Sequence, residues 1–519
     1  MAELLRPSNP QPSPLSELSL SLGGRHIGED LSVSGVSLHT GLVAPGDLFV
    51  ALGGVHRHGS EFWPEAAARG ASAVLTDEAG LLAFGDHPPP LVVVADPRAV
   101  LGAVAARIYG TEDLEALRIF SVTGTNGKTS TAYLLDAVLR GLEMKTALST
   151  TAARHVAGEA FPSTLTTPEA PDIHAMLGLA KEQDVWGVAL EVSAQAIVRN
   201  RLDGVVADVA GFTNLSHDHF EDFGGMENYF HAKARLFTPQ MASQAVVCID
   251  TDWGERLAQT APIPVCTLGR AGTAPGGDRP HWVYRVISAG RADTVFSVAG
   301  PGGALKVRAP IIGDHMAANA ALAIVMLIQS GVDPSAIERA MGSDTPGIPV
   351  YLPGRIERVS GSAGPQVFVD SGHTEDAYRA TLTTVRERTE GRLIMVCGLS
   401  GNRDVTKRPL MGATGATLAD VLIVTDGDPR KEDPAVIRAG LLEGARSVPG
   451  VEVHEIPDPS AAIRFAVSAA GEGDSVVWLG LGSKSYRDIA GEKVPYSARA
   501  QARLALGEAG WLADAEKHD

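Results

Sequence analysis

The run Thr123-Gly124-Thr125-Asn126-Gly127-Lys128-Thr129-Ser130 has residue types and spacing suited to binding phosphate. Glycines let backbone N–H groups close around phosphate oxygens, and a helix starting there offers its positive end. Lys128 supplies a point charge, and the Thr129 hydroxyl can hold Mg2+. The run therefore asks for a nucleoside triphosphate. It is a variant, because Val122 stands where the general phosphate-loop pattern has its first glycine. ATP is favoured over GTP, since no Asn-Lys-x-Asp guanine-reading motif occurs, and residues 208–211 match Asp-x-x-Gly by spacing alone.

Two further polar runs follow apolar stretches: Glu191-Val192-Ser193 and Asn214-Leu215-Ser216-His217-Asp218-His219. At the carboxyl edge of a sheet beside a phosphate loop, hard oxygen ligands and an imidazole can hold Mg2+, and Glu191 and His219 are the residues chosen for that role. Without the loop upstream, a His-Asp-His run reads as polar side chains turned to solvent rather than as a ligand set. Lys233, within residues 229–237, reads locally as an ordinary solvated helix lysine.

The elements that must position these residues follow from apolar periodicity. Residues 117–122 read as a buried strand, the loop follows, and residues 129–142 continue with helical spacing. Further strands are expected at 188–190, 209–212 and 245–249, with a buried helix at 316–328. Upstream, residues 48–52, 73–75 and 91–94 alternate with a helical stretch at 65–69, a small α/β unit. Downstream, 367–369, 393–396, 421–424 and 476–479 are spaced by helices, as in an open parallel sheet. The polar segment at 109–115 and the prolines Pro346, Pro349 and Pro353 mark boundaries. The expected fold class is α/β with three domains. Residues 1–15, rich in Pro and Ser, form a disordered leader; 16–113 a small N-terminal domain; 114–350 a central phosphate-loop ATPase sheet; and 351–519 a Rossmann-like C-terminal domain.

Composition agrees with a multidomain globular protein: 519 residues, 45% hydrophobic and 20% charged. A net charge of −17 argues against general nucleic-acid or anionic-membrane affinity. Three widely spaced cysteines without a Cys-x-x-Cys indicate neither a disulfide framework nor a zinc site, which suits a reducing cytoplasm. No apolar run is long enough for membrane insertion. The chain is expected to act as a cytoplasmic monomer.

These runs, with Leu165-Thr166-Thr167-Pro168, Phe212-Thr213-Asn214, Gly354-Arg355-Ile356-Glu357, Asp370-Ser371-Gly372-His373-Thr374, Arg403-Asp404 and Lys407-Arg408-Pro409, resemble the Mur ligase family, and within it the tripeptide-synthetase branch. The resemblance covers nearly the whole chain past the leader. It implies ATP-dependent addition of an amino acid to UDP-N-acetylmuramoyl-L-alanyl-D-glutamate through an acyl phosphate, with Mg2+. It implies that Gly124, Thr125, Asn126, Gly127, Lys128, Thr129 and Ser130 bind ATP, joined by Asn319 and Arg355. Asn319 on its alanine-rich stretch reads equally as a cap or packing residue. Thr166, Thr167, Ser193, Arg199 and Arg201 would line the UDP-dipeptide site, with Arg199 in place of the family's usual Gln. In the family, the lysine matching Lys233 is carbamylated and supplies an oxygen to a second Mg2+. That makes Lys128, Lys233 and His219 the catalytic set, and Thr129, Glu191, His219 and carbamylated Lys233 the metal set. In the N-terminal domain the family's Asp-Ser-Arg is represented by His39-Thr40-Gly41, where Thr40 alone keeps the hydroxyl. A folylpolyglutamate synthase shares the central architecture but not this N-terminal domain. A phosphate-loop ATPase acting as a regulatory module is the reading from another class.

Diaminopimelate-adding members carry Asp-Asn-Pro-Arg and Gly-Lys-Gly-His-Glu, where this chain has Gly427-Asp428-Pro429-Arg430 and Gly480-Leu481-Gly482-Ser483-Lys484. Arg403 and Arg430 are retained and can clamp an α-carboxylate bidentately. Asp428, Gly480 and Lys484 belong to the amino-acid site by the same match. Lys484 in place of a glutamate repels a substrate ammonium, so meso-diaminopimelate is disfavoured. L-lysine, L-ornithine and neutral or acidic L-amino acids stay open. The alternative is that Lys484 projects into solvent.

Overall fold

The computed structural model describes residues 5–54, 57–163, 165–272, 280–301, 303–341 and 347–512. Among these, three large sheets follow one another along the chain, beside two two-stranded ones.

The N-terminal sheet has five strands in the order Arg25–Ile27, Leu91–Val93, Ala73–Thr76, Asp47–Val50 and Gly35–Ser37. Its last four strands are mutually parallel. Helix Pro97–Ile108, with Asp96 capping its first turn, lays Leu101, Val104 and Ile108 on this sheet.

Eleven strands form the central sheet. The phosphate-loop strand Arg118–Thr123 lies between Gly187–Glu191 and Ala207–Phe212, parallel to both. Alternation along it sends Phe120 and Val122 to one face, against Leu134 and Val138 of helix Lys128–Gly141 and against helix Asp314–Gln329. Leu117 and Ile119 go to the other, under Ile173 and Leu177 of helix Ala170–Glu182. Eleven buried residues on Asp314–Gln329, many of them alanines, explain its all-round apolar sequence. The antiparallel strands Thr294–Gly300 and Gly303–Ala309 extend the sheet at one edge, and Arg154–Val156 with Glu159–Phe161 at the other.

The third sheet runs Glu357–Arg358, Gln366–Asp370, Ser475–Leu479, Leu393–Cys397, Val421–Val424 and Glu452–Glu455, parallel except at its first strand. The irregular segments 109–117 and 347–356 separate the sheets. Pro349 and Pro353 fall in the second segment, whereas Pro346 lies outside the described residues, as do 1–4 and 513–519.

The expected disorder of residues 1–15 is corrected for the described part. Arg6 pairs with buried Asp47 at 2.6 Å, and the N–H groups of Ser8 and Asn9 each donate to Glu182 at 2.7 Å. Ser13–Pro14 pairs with Ser32–Val33, and Leu15 is fully buried. Proline suits an extended edge segment as well as a disordered one, and the anchoring charges lie far away in sequence. No helix among the described residues is long and apolar enough to cross a membrane. The three cysteines are free thiols.

Candidate active site

The phosphate loop connects strand Arg118–Thr123 to helix Lys128–Gly141, as the sequence predicts. Two of its glycines are required by contact. A Cβ on Gly124 (φ 150°) would lie 1.8 Å from Thr213 Oγ1, and one on Gly127 (φ 89°) would lie 2.3 Å from Asn319 Oδ1. The segment Phe212-Thr213-Asn214-Leu215-Ser216 clamps the loop. Thr125 N–H donates to Asn214 O at 2.9 Å, Asn126 N–H to Asn214 Oδ1 at 3.0 Å, and Thr213 Oγ1 to Asn126 O at 2.6 Å. Asn319 therefore stands over Gly127 on the face where the helix begins. Ser130 is buried in the first turn.

Register brings Glu191 beside Val122 at the end of the neighbouring strand. Its carboxylate, 3% exposed, accepts from Thr129 Oγ1 at 2.9 Å and from Thr151 N–H at 2.8 Å. Thr151 Oγ1 also donates to Thr166 Oγ1 at 3.0 Å. Thr167 Oγ1 donates to Glu191 O at 2.9 Å and accepts from Ser193 N–H at 3.0 Å. Arg201 braces this corner from below, donating to Thr167 O at 3.0 Å and pairing with Glu169 at 2.8 Å. Arg199 is exposed at the end of helix Ala194–Val198. Thr40 donates to Glu65 within the N-terminal domain and is not brought to this cluster by any described contact.

Lys233 is not the solvated helix lysine of the local reading. It is 1% exposed on helix Met226–Ala234 and donates to Gly124 O at 2.8 Å. Burial, reinforced by the Lys128 charge, presses it well below the usual lysine value, while Asp218 and Glu191 oppose the shift. Lys128 Nζ donates to Gly124 O at 3.0 Å and to Thr125 O at 2.8 Å, and burial lowers it as well.

His219, in a left-handed conformation (φ 56°), turns its ring toward Asp218 (3.4 Å) and toward Gln195, whose Nε2 donates to Nδ1 at 2.9 Å. Burial lowers its basicity, and Lys128 adds to that against Asp218. Among the described contacts none joins His219 to Glu191, so the expected metal residues form two groups. Thr129 and Glu191 touch, with Lys233 on the same loop carbonyl side. His219 keeps company with Glu221 and Asp222, all three offering ligand atoms within 4.8 Å of one another.

The third domain closes the site. Arg355 Nη2 donates to Thr129 Oγ1 at 2.7 Å, and Asn126 Nδ2 to Thr374 Oγ1 at 3.2 Å. Lys407 reaches Asp218 at 3.0 Å, His217 lies 3.0 Å from Asp404, and Arg403 lies 3.5 Å from Glu221. Burial would raise the Asp218 carboxyl, but His373, Lys407 and His219 outweigh it and hold it well below the usual range. Asp218 and Lys407 were legible only as parts of longer runs, and Thr151 carried no signal at all.

Beyond these bridges, Arg430 (φ 53°) is pinned by its N–H to Asp488 O at 2.9 Å; burial and then the Arg403 charge lower its basicity. Gly480 N–H donates to Asp370 O at 2.9 Å. Lys484 neither faces solvent alone nor stands as a free cation: its ammonium is ion-paired to buried Asp428.

A hydroxyl and a carboxylate at a phosphate loop are the hard oxygen donors Mg2+ takes, so Thr129 and Glu191 fit that ion. An ammonium does not ligate it, but an uncharged buried amine is the form that captures carbon dioxide, and Lys233 fits as a carbamate.

Three family descriptions match in order: "Mur ligase family, catalytic domain" over residues 32–111, "Mur ligase middle domain" over 122–327, and "Mur ligase, glutamate ligase domain" over 354–482. A UDP-N-acetylmuramyl-tripeptide synthetase of Leifsonia xyli subsp. xyli is 50% identical over 98% of each chain. A UDP-N-acetylmuramoyl-L-alanyl-D-glutamate--2,6-diaminopimelate ligase of Streptomyces coelicolor is 40% identical over 96% of this chain and 98% of its own. Among solved structures, a ligase of that same description is 26% identical, covers 96% of this chain and all of its own, and superposes with a TM-score of 0.63.

Proposed function

The chain belongs to the Mur ligase family and is an ATP-dependent amide-forming ligase, and from that premise we propose that it joins an L-amino acid to the D-glutamate of UDP-N-acetylmuramoyl-L-alanyl-D-glutamate. A γ-carboxylate oxygen of that glutamate attacks the γ-phosphorus of ATP and ADP leaves, giving an acyl phosphate. The amino acid's nitrogen attacks the acyl carbon, the C–O bond to phosphate breaks, and the nitrogen sheds a proton. The product is a tripeptide precursor of peptidoglycan, and since ATP and nucleotide-linked precursors are cytoplasmic compounds, the reaction belongs there.

The observation that carries this reading is Arg355 of the third domain donating to Thr129 of the phosphate loop, which joins the nucleotide cradle to the sheet that offers Arg403 and Arg430. Loop N–H groups, Lys128 and Arg355 meet charge on the transferred phosphoryl group, and Asn319 packs on the loop at the nucleotide. Thr129, Glu191 and a carbamylated Lys233 would hold Mg2+, which when bound would supply charge neutralisation at the phosphates. His219, grouped with Glu221 and Asp222, would act from the second polar group rather than from this donor set. Thr166, Thr167 and Ser193 receive the dipeptide end with Arg201 behind them, Arg199 meets its anionic groups, and Thr40 belongs to the uridine end. Arg403 and Arg430 clamp the amino acid's α-carboxylate. All these residues come from one chain, so a monomer suffices.

The amino acid is read as other than meso-diaminopimelate, even though the Streptomyces coelicolor relative is named for that substrate. Support comes from Lys484 and Asp428, where the diaminopimelate-adding pattern has Glu and Asn. The test is an amino-acid panel with ATP, Mg2+ and the UDP-dipeptide, reading ADP release and product mass together. One dominant tripeptide is the expected result. ADP release that needs neither amino acid nor acceptor would turn the reading to a regulatory ATPase.

A further inference from the structure

The crevice at the carboxyl ends of the third sheet holds a charge pair that the reaction above does not use. Strands Ser475–Leu479 and Val421–Val424 flank Leu393–Cys397, so their following loops are separated by roughly two strand spacings, about 10 Å. Lys484 on the first loop spans that gap to Asp428 on the second, while Arg403 projects from the loop between them. Such a crevice is where open α/β sheets bind their ligands.

Asp428 is 3% exposed, whereas the Lys484 side chain is 37% exposed, so the lysine covers the carboxylate from the solvent side. Asp428 Oδ1 is buried with no hydrogen-bond partner among the described residues; Lys484 is ion-paired to the other carboxylate oxygen, and the Arg430 charge also acts on this carboxylate. The loop carrying Asp428 is held in place by Arg487 Nε donating to Gly427 O at 2.8 Å and by Asp488 O accepting from Arg430 N–H. A carboxylate taken out of water wants a cation, and here that cation is built into the chain.

We propose that Lys484 is a tethered stand-in for a substrate's distal ammonium, occupying Asp428 and closing the end of the amino-acid pocket, so that this ligase takes an L-amino acid with a short, uncharged side chain. The assignment rests on the ligase reading above. A long diamino acid meets the Lys484 ammonium and finds the carboxylate already paired. An acidic side chain finds the Lys484 ammonium already held by Asp428. With Asp428 and Lys484 cancelling, Arg403 and Arg430 are left for the α-carboxylate.

The test compares kcat/KM of the full chain and two variants for L-alanine, L-homoserine, L-lysine, meso-diaminopimelate and L-glutamate. The unmodified chain is expected to favour the uncharged pair by about tenfold or more, a difference of about 1.4 kcal/mol. Lys484→Ala frees the buried carboxylate and shifts the ratio toward L-lysine by about tenfold. Asp428→Asn, nearly isosteric and so independent of any folding defect in the first variant, frees the ammonium and shifts the ratio toward L-glutamate. A diamino acid preferred by the unmodified chain, or ratios unmoved in both variants, overturns the assignment while leaving the ligase intact. No product with any amino acid overturns the ligase reading and this assignment together.

Discussion

Lys128 and Lys233 donate to the same carbonyl, Gly124 O, at 3.0 and 2.8 Å. Two ammonium groups on one oxygen repel, and the deeper one, Lys233, gives up its charge first. Removing that amine should remove the carbamate with it. Lys233→Ala is expected to lower ligase turnover about 100-fold or more, in the range of lost electrostatic stabilisation, with formate or acetate restoring part of it. Full activity of the unrescued variant would contradict the carbamate.

Asp218 and Lys407 lie on different domains, both largely buried, 3.0 Å apart. Breaking such a pair from one side strands a buried charge at a cost of about 3 to 5 kcal/mol. Lys407→Met should therefore cut kcat/KM at least about 100-fold through loss of the docked arrangement. ATP affinity, carried by the central domain, should change far less. Equal losses of ATP affinity and turnover would count against a docking role.

Gly127 sits under Asn319 with a positive φ. Gly127→Ala adds backbone strain of about 1 to 2 kcal/mol to a steric clash, so the ATP Kd should rise at least about tenfold. The thermal midpoint should fall by a few degrees, because strain and clash are borne by the folded state alone. Titration calorimetry checks the first, thermal unfolding the second.

His174 is fully buried, its Nδ1 2.6 Å from Thr111 Oγ1 and its Nε2 2.9 Å from Asp203 O, so it is held neutral. Burial pushes its pKa from 6.5 to about 4. Between those values the unfolded chain takes a proton that the folded chain refuses, so stability falls as pH drops through the interval and levels off below it. The loss amounts to about 3 kcal/mol. Urea midpoints measured across that window should slope in the parent chain and flatten in His174→Gln. Parallel slopes would contradict this.

The phosphate loop, its strand and its helix were legible because turn chemistry and apolar periodicity are local. Residues 421–424 match their observed strand for the same reason, a continuous apolar run. The partner of Lys484 was not legible, because Asp428 lies far away in sequence and only the sheet order brings the two loops together. The burial of Lys233 was hidden similarly: locally it reads as a solvated helix lysine, and only packing against the loop encloses it. The anchoring of Arg6 by Asp47 overturned a disorder reading that rested on composition alone.

The acyl-phosphate step is tested most directly by preparing the UDP-dipeptide with oxygen-18 in the D-glutamate γ-carboxylate and analysing the phosphate released during ligation. The account predicts that each phosphate carries one labelled oxygen from the carboxylate. Unlabelled phosphate, with amide still formed, would contradict it.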